Sequence, residues 1–135
     1  MPQIKTAIIL AAGLGTKIWP YNKTRQKCAI PIGNIPIITH IVQDLISCEI
    51  KKIYVVTNHF SEQVRYLINE ENTHFIEQKN PLGTANAVKS VLDKYEIDED
   101  FLIIYGDICC AKENLEIILK NYENQGSDVL CLIKK

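Results

Sequence analysis

No apolar run in this 135-residue chain approaches the roughly eighteen residues that a membrane-crossing helix needs. The N-terminus, MPQIKT, leads straight into a short strand-like run, without the charged segment and long apolar core of a secretory leader. A cytoplasmic protein with no membrane partner is therefore expected. There is no global excess of positive charge either. Lys and Arg number 15 against 16 Asp and Glu, a net charge of −1, which gives no means of neutralising a nucleic-acid backbone. Repeats, low-complexity segments and linkers are missing as well, so residues 1–135 read as a single domain. The five cysteines, Cys28, Cys48, Cys109, Cys110 and Cys131, contain no Cys-x-x-Cys pair and no zinc-like spacing with histidine. Most are expected to be reduced and partly buried. His40, His59 and His74 are scattered and form no ligand set.

Two common phosphate-binding patterns are also lacking. Gly13-x-Gly15 is not followed by the third glycine of a dinucleotide fingerprint, because Ile18 stands there. The acidic residue that would hold a ribose is replaced by Asn58 and His59, and no Gly-Lys-Ser/Thr closes a Walker loop. A dinucleotide-dependent oxidoreductase is accordingly a poor reading. A convincing nucleophile–base pair is absent too.

What is present is an alternation of apolar strands and amphipathic helices. Strands are expected at Thr6–Leu10, Lys52–Thr57, Thr73–Glu77, Phe101–Tyr105 and Asp128–Ile133. Helices are expected at Pro36–Cys48, at Ser61–Ile68 with Ser61 as its cap, at Thr84–Leu92 and at Asn114–Tyr122. Continuous apolar strands, each followed by a helix, imply a parallel sheet covered on both faces. The fold class is α/β, a Rossmann-like three-layer sandwich with a mainly parallel sheet. Counting strands along the chain, right-handed crossovers give the order 3-2-1-4-5, truncated after the fifth. In such a sheet ligands sit beyond the carboxyl ends of the strands. The loops after the first, third and fourth strands would then meet on one edge.

The first of those loops is the most distinctive part of the chain. The strand ending at Leu10 breaks into Ala11-Ala12-Gly13-Leu14-Gly15-Thr16, and Lys17, Lys23, Arg25 and Lys27 follow with no acidic residue among them. A glycine-lined turn lets backbone N–H groups converge on an anion, and the cations supply opposite charge. A polyphosphate is the natural ligand. Lys23 and Arg25 fit a solvated face, and Trp19 is expected to pack beneath the loop.

In sequence, LAAGLGT followed by a cation, Pro20, then Lys27 twelve positions after Gly15 and Pro31 four later, resembles the sugar-1-phosphate nucleotidyltransferases. Gln78, five residues before Gly83-Thr84-Ala85, resembles that family's base-reading loop, and Tyr105-Gly106-Asp107 its metal-binding Gly-Asp. The resemblance implies that a sugar-1-phosphate oxygen attacks the α-phosphorus of a nucleoside triphosphate and pyrophosphate leaves. It implies catalytic roles for Lys17, Lys27 and Asp107, with Asp107 holding Mg²⁺. Leu10, Ala11, Ala12, Gly13, Gly15, Thr16, Gln78, Gly83 and Thr84 would bind the nucleotide, with UTP or dTTP ahead of GTP or CTP. The resemblance also implies a second half carrying the sugar pocket, which these residues do not include. An edge left open by its absence would favour association into a homo-oligomer.

Three positions depart from the family pattern. Lys17 stands for the usual arginine and loses its planar fork. Asn22 stands for threonine. Gln26 stands for the proline before Lys27, which is expected to give the loop more backbone freedom. A nucleotide-binding or regulatory relative with weak catalysis is the alternative reading.

Overall fold

A computed structural model describes residues 3–80 and 82–132. Its centre is strand β1, Thr6–Ala11, whose run of Ala7, Ile8 and Ile9 is fully buried. After a long loop a two-residue pair, β2 (Pro31–Ile32) and β3 (Ile35–Pro36), forms a small antiparallel ladder. Helix α1, Ile37–Ser47, leads to β4, Lys52–Thr57, and helix α2, Ser61–Leu67, leads to β5, Thr73–Glu77. Helix α3, Thr84–Leu92, then β6, Phe101–Tyr105, and α4, Lys112–Gln125, complete the order.

The strands lie in the order β5-β4-β1-β6, and every pairing is parallel. In the counting used above this is 3-2-1-4, as expected for the first four strands. The fifth is a correction. Residues 128–132 form no strand, and Ile133 lies outside the described residues. Val129 is 75% exposed, so its apolar character is not matched by a neighbouring strand or helix.

Both faces are covered because both alternations of side chain along the central strands are apolar. Ile9, Ile53 and Val55 pack against Ile38, Leu45, Val64 and Leu115 from α1, α2 and α4. On the other face Ile8, Tyr54 and Val56 pack against Ala87 and Val91 of α3. The apolar positions of α1, Ile37, Ile38, Ile41, Val42 and Leu45, form one stripe, as a helix of that spacing requires. Pro36 precedes its first turn, where a missing N–H costs nothing. Ser61 does not cap α2: Phe60, in a left-handed conformation, is the capping position and Ser61 begins the helix.

The chain moves outward from β1 to β4 and β5, then returns to place β6 on the opposite side of β1. That reversal opens a crevice at the carboxyl ends of β1 and β6.

Candidate functional site

A cavity of about 360 Å³ occupies this crevice, a size that suits a small molecule. Its walls include all the residues singled out from the sequence: Leu10, Ala11, Ala12, Gly13, Gly15, Thr16 and Lys17 after β1, Lys27 in the loop, Gln78, Gly83 and Thr84 around the start of α3, and Asp107 after β6. Ile18, Gln26, Cys28, Ala87, Tyr105 and Gly106 line it too. Gly106 and Tyr105 were legible as neighbours of Asp107. Gln26 was visible only as a departure from a pattern.

The turn after β1 has the electrostatics of an anion cradle. Among the described residues, no backbone N–H from Ala12 through Lys17 has a hydrogen-bond partner. The first N–H beyond them to be satisfied is that of Ile18, which donates to the Gly15 carbonyl at 3.0 Å. A Cβ on Gly13 would meet no protein atom within 4 Å. The backbone is open on this side. Lys17 is exposed at its rim, with no ion pair among the described residues. Trp19, expected beneath the loop, is 67% exposed, and the ammonium of Lys23 lies 5.3 Å from its ring centre. Lys23 and Arg25 are themselves exposed, and each lies over an aromatic ring.

The expectation of a looser backbone at Gln26 is overturned. Its side chain is buried, and the two hydrogens of its Nε2 serve the carbonyls of Ala11 at 3.0 Å, Gly13 at 3.1 Å and His59 at 3.1 Å, one hydrogen being shared. Its Oε1 accepts from the Lys27 N–H at 2.6 Å, and its own N–H donates to Gln63 Oε1 at 3.0 Å. Gln63 Nε2 in turn donates to Thr24 O at 2.7 Å. The ring of a proline would have held the same φ, −70°, but made none of these bonds. Three carbonyls at one end and an N–H at the other leave no choice of amide orientation.

On the opposite wall, Lys27 Nζ donates to Asp107 Oδ2 at 2.6 Å. A proposed phosphate-binding cation and a proposed metal ligand therefore touch each other. Asp107 hangs from Gly106, whose N–H donates to Leu10 O at 2.9 Å. A Cβ at Gly106 would lie 3.1 Å from that same oxygen and from the Ala11 Cβ, so a side chain here would press β6 away from the end of β1 by a few tenths of an ångström. Asp107 is not a helix cap, since α4 begins at Lys112 with Ala111 before it. Beneath the pair lies Cys28, whose thiol burial pushes up to about 12, with the nearby Asp107 charge acting in the same direction. Such a thiol is inert as a nucleophile near neutral pH.

The third wall is polar and fixed. Gln78 is 6% exposed; its N–H donates to Thr57 O at 2.7 Å and its Nε2 to Asn86 Oδ1. Gly83 stands before α3 with φ 102°, a conformation in which a side chain is strained. Thr84 Oγ1 lies 3.5 Å from Tyr105 Oη, linking this wall to β6. Among the described residues no group of three or more His, Cys, Asp or Glu is arranged to hold a metal, and no helix is long and apolar enough to cross a membrane.

Comparison with known proteins adds four findings. The family model for nucleotidyl transferases matches residues 6–135. The bifunctional protein GlmU of Methanococcus vannielii is 39% identical over 119 residues, covering 87% of this chain and 28% of that protein. A crystal structure from Bacillus anthracis, assigned as a glucose-1-phosphate thymidylyltransferase and complexed with sucrose, matches with a TM-score of 0.74 at 27% identity, over 89% of this chain and 50% of that one. A UTP-bound UGPase of Acinetobacter baumannii is 20% identical with a TM-score of 0.75, over 92% of this chain and 54% of that one, a likeness of fold alone. The chain thus spans about half the length of these solved structures and less of the GlmU protein.

Proposed function

The chain belongs to the nucleotidyl transferase family, and on that premise we propose that it forms the nucleotide-binding part of an enzyme making a nucleotide-sugar. A sugar-1-phosphate oxygen attacks the α-phosphorus of a nucleoside triphosphate, the bond from that phosphorus to the bridging oxygen breaks, and pyrophosphate leaves. The observation that carries this reading is the run of unpartnered N–H groups from Ala12 to Lys17 in one cavity with Lys27, Asp107 and Gln78. The nucleophile is already an anion near neutral pH, so no general base is required. Positioning and charge neutralisation do the work.

In this reading the turn from Leu10 to Thr16 binds the triphosphate, and Lys17 steadies the departing pyrophosphate. Lys27 binds the phosphate at the reacting centre. Gln78, Gly83 and Thr84 hold the base, with UTP or dTTP ahead of GTP and CTP. Mg²⁺ fits the donor set, because Asp107 Oδ1 has no hydrogen-bond partner among the described residues and this ion takes one or two carboxylates alongside phosphate oxygens. When bound, it would lower the charge that repels the attacking phosphate. Residues 1–135 act as one unit, in a cytoplasmic protein that touches neither nucleic acid nor membrane.

One observation favours a second reading. Lys27 and Asp107 neutralise each other at 2.6 Å, which suits a relative that binds nucleotide without turnover. Calorimetric titration with nucleoside triphosphates and Mg²⁺, beside a pyrophosphate-release assay with several sugar-1-phosphates, separates the two. Binding with release supports the enzyme. Binding without release from the full-length gene product supports the second reading, and no binding overturns both.

A further inference from the structure

We infer that Gln26 is a positioning residue that sets the triphosphate-binding conformation of the turn after β1, in the place where the family pattern has proline. The inference rests on the nucleotide-binding reading above and gives that site a residue of its own.

The argument begins with the peptide groups. Gln26 Nε2 draws the carbonyls of Ala11 and Gly13 toward itself. In a trans peptide the following N–H points the opposite way, so the N–H groups of Ala12 and Leu14 are turned away from Gln26. Those are two of the N–H groups left without a partner in the described residues. One side chain thus decides which side of the turn presents oxygen and which presents hydrogen. With those carbonyls free to rotate, the turn could aim oxygen at an incoming polyanion.

The same residue ties three more parts of the cavity together. Its Oε1 holds the backbone of Lys27, so the lysine paired with Asp107 starts from a fixed point. Its Nε2 also reaches His59 O, in the connection between β4 and α2, and the backbone N–H of Gln26 meets Gln63 Oε1 on α2. His59 Nε2 donates to Asn22 O at 3.0 Å, closing the loop from its far side. Burial at 3% exposure removes water as a competitor for these bonds, so each missing one leaves an unmet carbonyl. A proline secures φ at one residue; Gln26 secures the carbonyls of two turn residues and a helix start.

The test uses the full chain, its Gln26→Met variant, which keeps the side-chain length but cannot donate, and Gln26→Pro, which keeps φ. Affinity for UTP and for UMP is measured by calorimetry, and the readout is the ratio between them, the increment due to the outer phosphates. A merely structural role would weaken both ligands alike and leave the ratio unchanged. The inference expects the ratio to fall about tenfold in each variant, the equivalent of one or two hydrogen bonds. An unchanged ratio in a folded variant overturns it. If one variant does not fold, the other carries the readout; inorganic tripolyphosphate supplies a third measurement, expected to weaken by a similar factor. A wild-type chain that binds UTP no better than UMP overturns the nucleotide reading itself, an outcome distinct from variants that match a discriminating wild type.

Discussion

Replacing Asp107 with asparagine separates what the ion pair with Lys27 does for the fold from what the carboxylate does in the cavity. The pair is short, 2.6 Å, yet its side chains keep 39% and 32% exposure, so solvent screens it. Its share of stability is therefore below about 1 kcal/mol, and the asparagine oxygen still accepts from Lys27. For a domain of this size that corresponds to a fall in melting temperature of no more than about 5 °C. Ligand binding should change far more. Without Mg²⁺ the carboxylate opposes an incoming polyanion, and removing its charge releases Lys27. UTP affinity measured in EDTA should be equal to wild type or up to about fivefold tighter, for a screened interaction of about 1 kcal/mol. With Mg²⁺ the order reverses: the wild type gains affinity, the variant gains about twofold or less, and turnover in the full-length protein falls by about 100-fold or more. Calorimetric titration with and without the ion, thermal unfolding and a pyrophosphate-release assay read all four. An equal Mg²⁺ enhancement in both proteins would refute the assignment of Asp107. A large loss of stability with unchanged magnesium response would make it a purely structural residue.

Three further outcomes follow from the packing in and around the site. Gly106→Ala places a Cβ 3.1 Å from Leu10 O and the Ala11 Cβ, rigid atoms of β1, so stability should fall by about 1–3 kcal/mol and UTP affinity with it. An unchanged denaturation midpoint would show that β6 can shift at no cost. Burial of Cys28 raises its thiol from 9.0 to about 12, so the stability it contributes is complete below pH 9 and is lost as pH rises toward about 12. Urea midpoints should therefore decline more steeply between pH 8 and 11 in the wild type than in Cys28→Ala; parallel curves would contradict the burial account. In the same pH range, alkylation of the folded protein should modify the exposed Cys109 and Cys131 and spare Cys28.

The parts of this fold that could be read in advance were those decided by short-range pattern. β4 and α3 have the expected limits, because runs such as Ile53–Val56 and the Ala87/Val91 spacing need only a sheet to face. The cavity walls were legible because in a parallel sheet the loop after each strand emerges on the same side. What could not be read depends on partners distant in the chain. Gln26 acts through Ala11, 15 residues earlier, and His59, 33 residues later, so a comparison with proline suggested looseness where there is a lock. Val129, Leu130 and Leu132 have strand-forming side chains, but a strand needs a neighbour to pair with as well as a pattern. Trp19 failed for a related reason: hydrophobicity predicts burial only where space exists beneath, and three short 3₁₀ turns carry this loop over the surface.

The sheet order has a consequence for motion. The glycine turn grows from β1, which has strands on both sides, whereas Asp107 hangs from β6, which within the described residues has only β1 beside it. Local opening free energy follows such support, so amides of β1 and β4 should exchange most slowly and those of β6 sooner. The cavity is thus bounded by one wall rooted in the best-supported strand of the sheet and by another rooted in a strand that can part from it first. Ligand entry can then draw on fluctuations of the carboxylate side while the anion cradle stays assembled.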